Sequence, residues 1–187
     1  MNRLSNSSSL QVLAVRTSRD LGRFIDLPWD IYADDPAWVP PLRIERRLHF
    51  SRFNPFFEHG TWQAWLALKG GSPVGRISAQ VDRLHREFYG ADTGHFGLLE
   101  SVDDPCVVAE LLRAAEDWLR GQGTRRVSGP FNFSINQECG LLVEGFDTPP
   151  VIMMPHARRW YAPMLERQGY SPAQELFAYW ANVDFRP

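Results

Sequence analysis

The chain has 187 residues, 44% of them hydrophobic and 13% aromatic. That is enough to bury one sizeable core and too apolar for a disordered protein. Its formal charge of −2 gives no general attraction to nucleic acid or to an anionic membrane. The cysteines Cys106 and Cys139 make neither a disulfide framework nor a metal-ligand spacing, and point to a reducing, cytoplasmic setting.

The opening MNRLSNSSSL lacks the apolar stretch of a signal peptide, so residues 1–9 read as a polar tail ahead of a single domain over residues 10–187. Gln11–Arg16 is a short strand, and Ser18 is placed to cap a helix that turns Leu21, Phe24 and Ile25 inward. Pro28 predicts a kink, with a new short helix near Trp29–Tyr32. DDPAWVPP, Asp34 to Pro41, is a stiff loop; Leu42–Phe50 is a second helix; SRFNPFFEHG is loop again.

A hairpin follows: Thr61–Lys69 and Val74–Arg83 flank the turn Gly70-Gly71-Ser72-Pro73. Ile77, Ala79 and Val81 alternate with Arg76, Ser78, Gln80 and Asp82, the pattern of a half-buried strand. Gly94–Val127 is the centre of the chain, reading as strand, helix and strand. Val108, Leu111, Leu112, Ala115, Trp118 and Leu119 share one helical face, Asp104 stands at the N-cap, Pro105 at the first helical position, and Gly121 and Gly123 close the far end. Such a unit implies two parallel strands at the middle of a sheet. The polar stretch GPFNFSINQECG, Gly129–Gly140, comes next. A helix near Arg158–Gln168, with Pro163 kinking it or marking its start, and a last strand Glu175–Val183 complete the chain. The fold class is α/β, a mixed central sheet of about six strands with helices on both faces.

This order of elements resembles the GNAT superfamily of acyl-CoA-dependent N-acyltransferases over nearly the whole chain, Gln11 to Val183. PVGRISA at Pro73–Ala79 is similar to that family's third strand, and LLRAAEDWLRGQGTRRV at Leu111–Val127 to its central helix and fifth strand. WYAPMLERQGY, Trp160–Tyr170, is similar to the late helix that runs into a Gly-aromatic pair. The resemblance implies acetyl-CoA or another acyl-CoA as cosubstrate at the loop after the fourth strand, here with Ser101, Val102 and Cys106. It implies a small-molecule or protein amine as acceptor.

Three features depart from the family pattern. Its pyrophosphate loop is glycine-rich, whereas ESVDDPC, Glu100–Cys106, has no glycine and two aspartates, Asp103 and Asp104, which repel a polyphosphate. The tyrosine that protonates the leaving thiolate is replaced by Leu165, with Tyr161 one turn earlier. The family's seventh strand is missing, so either the chain is the N-terminal part of a longer protein or a second domain or subunit covers the sheet edge.

In open α/β sheets, ligands bind beyond the carboxyl ends of the strands, where neighbours diverge. That places Glu100, Ser101 and the Ser128–Glu138 loop beside one another around a cleft. Asn132, Ser134 and Asn136 are the candidate substrate-binding residues, against the plainer reading of a surface loop held by Asn and Ser turns. Amide formation on a thioester needs a base, a donor for the carbonyl oxygen and an acid. Glu100 or Glu138 is the candidate base, a backbone N–H of the fourth strand the donor, and Tyr161 the acid, each weighed against an ordinary structural role. Cys139 as nucleophile with His156 as base lacks triad spacing. The histidines His49, His59, His85, His95 and His156 show no metal-ligand rhythm, and no metal is expected. The aromatic residues come without a basic patch, which argues against nucleic acid. A GNAT-like module that no longer binds coenzyme A and instead recognises a ligand or another domain is the rival to the enzyme; a pyrophosphohydrolase ranks behind both.

Overall fold

The computed structural model describes residues 9–89, 92–134 and 136–179. In chain order the elements are β1 (Leu10–Ala14), α1 (Ser18–Ile31), α2 (Arg43–His49), a 3₁₀ turn at Pro55–Glu58, β2 (Gly60–Lys69), β3 (Ser72–Asp82), α3 (Arg83–Tyr89), β4 (Thr93–Ser101), α4 (Pro105–Gly121), β5 (Arg126–Ser128) and α5 (Tyr161–Arg167). The strands lie in the order β1-β2-β3-β4-β5. The first four are antiparallel and β4 and β5 are parallel. The sheet therefore has five strands among the described residues, where the sequence suggested about six. Residues 175–179 carry no strand, and the rest of the expected last strand, 180–183, lies outside the described residues.

Local rules explain most boundaries. Thr17, not Ser18, caps α1: its hydroxyl accepts from the Asp20 N–H at 3.1 Å, and the Asp20 carboxylate accepts from the Thr17 N–H at 3.1 Å, a reciprocal capping box. The helix runs through Pro28 to Ile31 rather than restarting there. Gly70 and Gly71 adopt φ of 60° and 83° in the β2–β3 turn, a left-handed pair that only glycine takes without strain. Asp104 caps α4 and Pro105 opens it, as the sequence expects, and Pro163 sits in the first turn of α5.

The sheet is covered on both faces, which corrects the half-buried reading of β3. Ile77, Ala79 and Val81 join Val107, Val108, Leu111, Leu112, Ala115 and Leu119 of α4 in one core. Each Val, Leu or Ile side chain among them contributes about 1.5–3 kcal/mol by leaving water. Across the sheet, Phe24, Ile25, Leu27 and Ile31 of α1 pack with Phe50, Phe56, Leu66, Leu98 and Phe133. Arg76, Ser78 and Gln80, which alternation alone sends to solvent, lie under this second layer and are buried.

Candidate functional site

The site follows from what β4 does after it pairs with β5. Thr93, Gly94 and His95 are in parallel register with Arg126, Val127 and Ser128; β5 ends at Ser128 while β4 continues to Ser101. On the opposite edge, Arg76 pairs with Glu100 but Ser78 with Gly97, so β4 carries one extra residue. Leu98 in that bulge has a φ of 50°, which re-aims its N–H out of the β3 ladder.

The cleft expected at this divergence is filled. The Phe131 N–H donates to the Phe96 carbonyl at 2.8 Å, and the Leu98 N–H donates to Asn132 Oδ1 at 2.9 Å. Gly97 permits the approach: a Cβ there would stand 2.7 Å from Asn132 Oδ1. The Asn132 amide donates to Glu138 Oε2 at 3.3 Å, and Glu138 is ion-paired with Arg46 of α2. Asn132 and Glu138 are thus in contact with each other, and Asn132 with the strand. Ser134 and Asn136 do not join them. The Asn136 N–H donates to Ser134 Oγ at 3.3 Å, which is turn chemistry at the loop tip.

Glu100 and Tyr161 form a second, buried group. The Tyr161 hydroxyl donates to Glu100 Oε2 at 2.8 Å and accepts from the Ser101 N–H at 2.9 Å. Burial pushes the Glu100 carboxyl up, opposed first by the charge of Arg76, whose guanidinium lies 3.8 Å away. Arg76 also donates to the Phe24 carbonyl at 2.7 Å and faces the Phe24 ring at 4.9 Å. Burial pushes Tyr161 well above the usual phenol value, with Glu100 adding to the effect. The Tyr32 hydroxyl is buried beside them without a hydrogen-bond partner among the described residues, and desolvation raises its pKa. Beside this group opens a pocket of about 230 Å³ whose walls include Leu27, Ile31, Val102, Asp103, Arg158 and Trp160.

The residues expected to hold coenzyme A have spent their donors. The Ser101 N–H goes to Tyr161 and its hydroxyl to the Val102 carbonyl at 2.8 Å. The Val102 N–H goes to Val74, and those of Val107 and Val108 to the Asp104 carbonyl. The Cys106 N–H goes to the Asp104 carboxylate, and Pro105 has none. A pyrophosphate cradle needs free N–H groups at a helix start; the first turn of α4 offers none, so it does not fit that group. His156 is turned to Asp35 at 3.0 Å, and Cys139 faces Phe131 in an isolated bridge. Among the described residues no group of three or more His, Cys, Asp or Glu side chains is placed to hold a metal.

Arg76, Arg46, Tyr32 and His49 are site residues that sequence reasoning missed. The signal for Arg76 was its place in a strand whose other face is wholly apolar, opposite an acid on the next strand. His49 stacks on Phe133 with ring centroids 4.5 Å apart; burial, then the charge of Arg46, lowers its pKa to about 4.

The fold is that of the GNAT acyltransferases. The chain superposes with a TM-score of 0.56 and 17% identity on a tandem GNAT protein from the clavulanic acid biosynthesis pathway, covering 86% of this chain and 43% of that one. It superposes with a TM-score of 0.56 and 11% identity on an aminoglycoside N-acetyltransferase in complex with CoA, covering 96% and 99%. In sequence it is 54% identical over 190 residues to the Escherichia coli protein YghO, covering 98% of this chain and 48% of that protein. It is 49% identical over 180 residues to the bacterial ceramide synthase of Caulobacter vibrioides, covering 95% and 47%. The chain therefore spans about half the length of the curated relatives it matches. No family model matches the sequence. Among the described residues no helix is long and apolar enough to cross a membrane.

Proposed function

We propose that this chain is a GNAT-fold unit of an amide-forming acyltransferase, carrying an acyl group from an acyl-CoA thioester to the amine of a long-chain base. One observation carries the reading: the β4 bulge turns the Leu98 N–H toward the segment that follows β5, within hydrogen-bonding range of a carbonyl oxygen, with the Glu138 carboxylate beside it. The 49% identity to a bacterial ceramide synthase supports this choice of substrate class, since a ceramide is a long-chain amine acylated on nitrogen. In this reading the thioester carbonyl takes the place of Asn132 Oδ1 on the Leu98 N–H. That exchange keeps the Leu98 N–H paired and leaves Asn132 Oδ1 to find another donor. Glu138 takes the proton of the attacking amine, a third of its side chain being open to solvent. Tyr161, held by its bonds to Glu100 and to the Ser101 N–H, returns a proton to the departing thiolate, and the proton that Glu138 took from the amine balances the loss.

A second reading, a unit of the same fold that contributes structure or contacts but binds no coenzyme A, is favoured by the first turn of α4, where every donor is used. Thermal shift separates the two. A ligand that binds only the native state raises its stability by about 2.7 kcal/mol at a hundredfold excess over Kd. The enzyme reading expects a rise in melting temperature with acetyl-CoA or with a long-chain acyl-CoA. No rise with either at millimolar concentration establishes the second reading in its place.

A further inference from the structure

Helix α2 is built inside out. Arg43, Arg46 and His49, one turn apart in succession, face the protein: Arg43 pairs with Asp26 at 2.6 Å and lies 3.9 Å over the Trp29 ring, Arg46 pairs with Glu138, and His49 stacks on Phe133. Ile44 and Leu48, four residues apart, take the opposite face, and the helix buries none of its residues. Leu42 just before the helix and Phe53 four residues after it are open to solvent as well. The exposures are 68% for Leu42, 70% for Ile44, 63% for Leu48 and 78% for Phe53, so four large apolar side chains lie open within twelve residues. An amphipathic helix ordinarily turns such residues to the core; large apolar side chains left open so close together in sequence point to an interaction surface.

The charges around the patch choose the partner. Arg47 on α2 and Arg52 after it are exposed and have no carboxylate partner among the described residues. The Arg52 guanidinium sits 5.0 Å over the Phe53 ring, leaving a cation at the edge of the apolar surface. Glu45 is the one acid on the helix. Apolar side chains at the centre, an aromatic ring and unpaired arginines at the margin are the composition of a helix that lies in a bilayer interface. The formal charge of −2 for the whole chain does not oppose this, because a charge acts on a surface only within about a Debye length of 8–10 Å.

We infer that the exposed face of α2, with Leu42 and Phe53, docks this protein on an anionic phospholipid surface. The inference stands whichever reading of the β4–β5 site holds, since none of these side chains belongs to that site.

The test is co-sedimentation of the 187-residue chain with vesicles of phosphatidylcholine, with and without phosphatidylglycerol. The chain pellets with the anionic vesicles and is released by 1 M salt, where the Debye length falls to about 3 Å. Changing Arg47→Gln or Arg52→Gln lowers the partition coefficient about fivefold each, and the double change Ile44→Gln with Leu48→Gln lowers it roughly tenfold. Phe88→Ser, on the exposed face of α3, leaves it unchanged. Circular dichroism melts of the α2 variants match the parent, because the altered side chains bury nothing. Equal binding by all variants overturns the inference, as does a failure to bind anionic vesicles. So does a dimer in solution that Ile44→Gln with Leu48→Gln splits while the vesicles leave the protein unbound, which would assign the patch to a second copy.

Discussion

Replacing Tyr161 by Phe removes one oxygen and keeps the ring that packs beneath β4. That oxygen donates to Glu100 at 2.8 Å and accepts from the Ser101 N–H at 2.9 Å, with Tyr161 1% exposed and Ser101 fully buried. The Ser101 N–H then stays buried without a partner, a cost of about 1–3 kcal/mol, and Glu100 loses a charge-assisted bond worth about 1.5–3 kcal/mol. Because the two losses share one atom they do not add in full, and the expected destabilisation is about 3 kcal/mol. For a domain of this size that lowers the melting temperature by roughly 6–12 °C. Urea titrations of parent and variant, compared at equal m, measure it. The deficit also depends on pH. Burial raises the folded pKa of Glu100 above its unfolded value, and the Tyr161 bond holds it down. Folded protein therefore retains a proton that the unfolded chain loses, and stability falls as pH rises from the ordinary carboxylate range through the folded value. Removing the hydroxyl raises the folded value further, so the variant's deficit is larger at pH 8 than at pH 5. A change below about 0.5 kcal/mol, or a deficit that grows toward acid, refutes the argument.

Glu138→Gln lowers turnover about 10²–10⁴-fold if this carboxylate is the base, with a much smaller change in urea midpoint; unchanged turnover removes it from that role. Gly75→Ala sets a Cβ 2.7 Å from Val107 Cγ1 and 2.8 Å from Leu111 Cδ1, so these side chains of α4 must give way at about 1–3 kcal/mol, read as a lower denaturation midpoint. His49, with its pKa depressed to about 4 by burial, is neutral in the fold and charged when unfolded below about pH 6.5. Stability is lost as pH falls from that value toward 4, and His49→Phe flattens that limb of a stability–pH curve. Thr17→Ala breaks the capping box of α1 and costs about 1 kcal/mol, measured by thermal melts.

The position of α4 could be read before any coordinates, because its cap, its proline and its apolar stripe all lie within seventeen residues and depend only on neighbours in sequence. The β2–β3 hairpin was legible for the same reason, its two glycines meeting the turn's need for positive φ. Glu100, Tyr161, Asn132 and Glu138 could be nominated by residue type and place in the element order. What they touch could not. Whether Arg76 met solvent or a buried acid depended on α1 folding back across the sheet from fifty residues away. Whether the end of the β4–β5 pair lay open depended on a bulge at Leu98 and on the reach of one amide from the next loop. Caps, turns and periodicity are settled by short-range sterics and hydrogen bonds, which the sequence states directly. The burial of a charge and the filling of a cleft are settled by which distant surfaces come together, and that is a property of the packed chain alone.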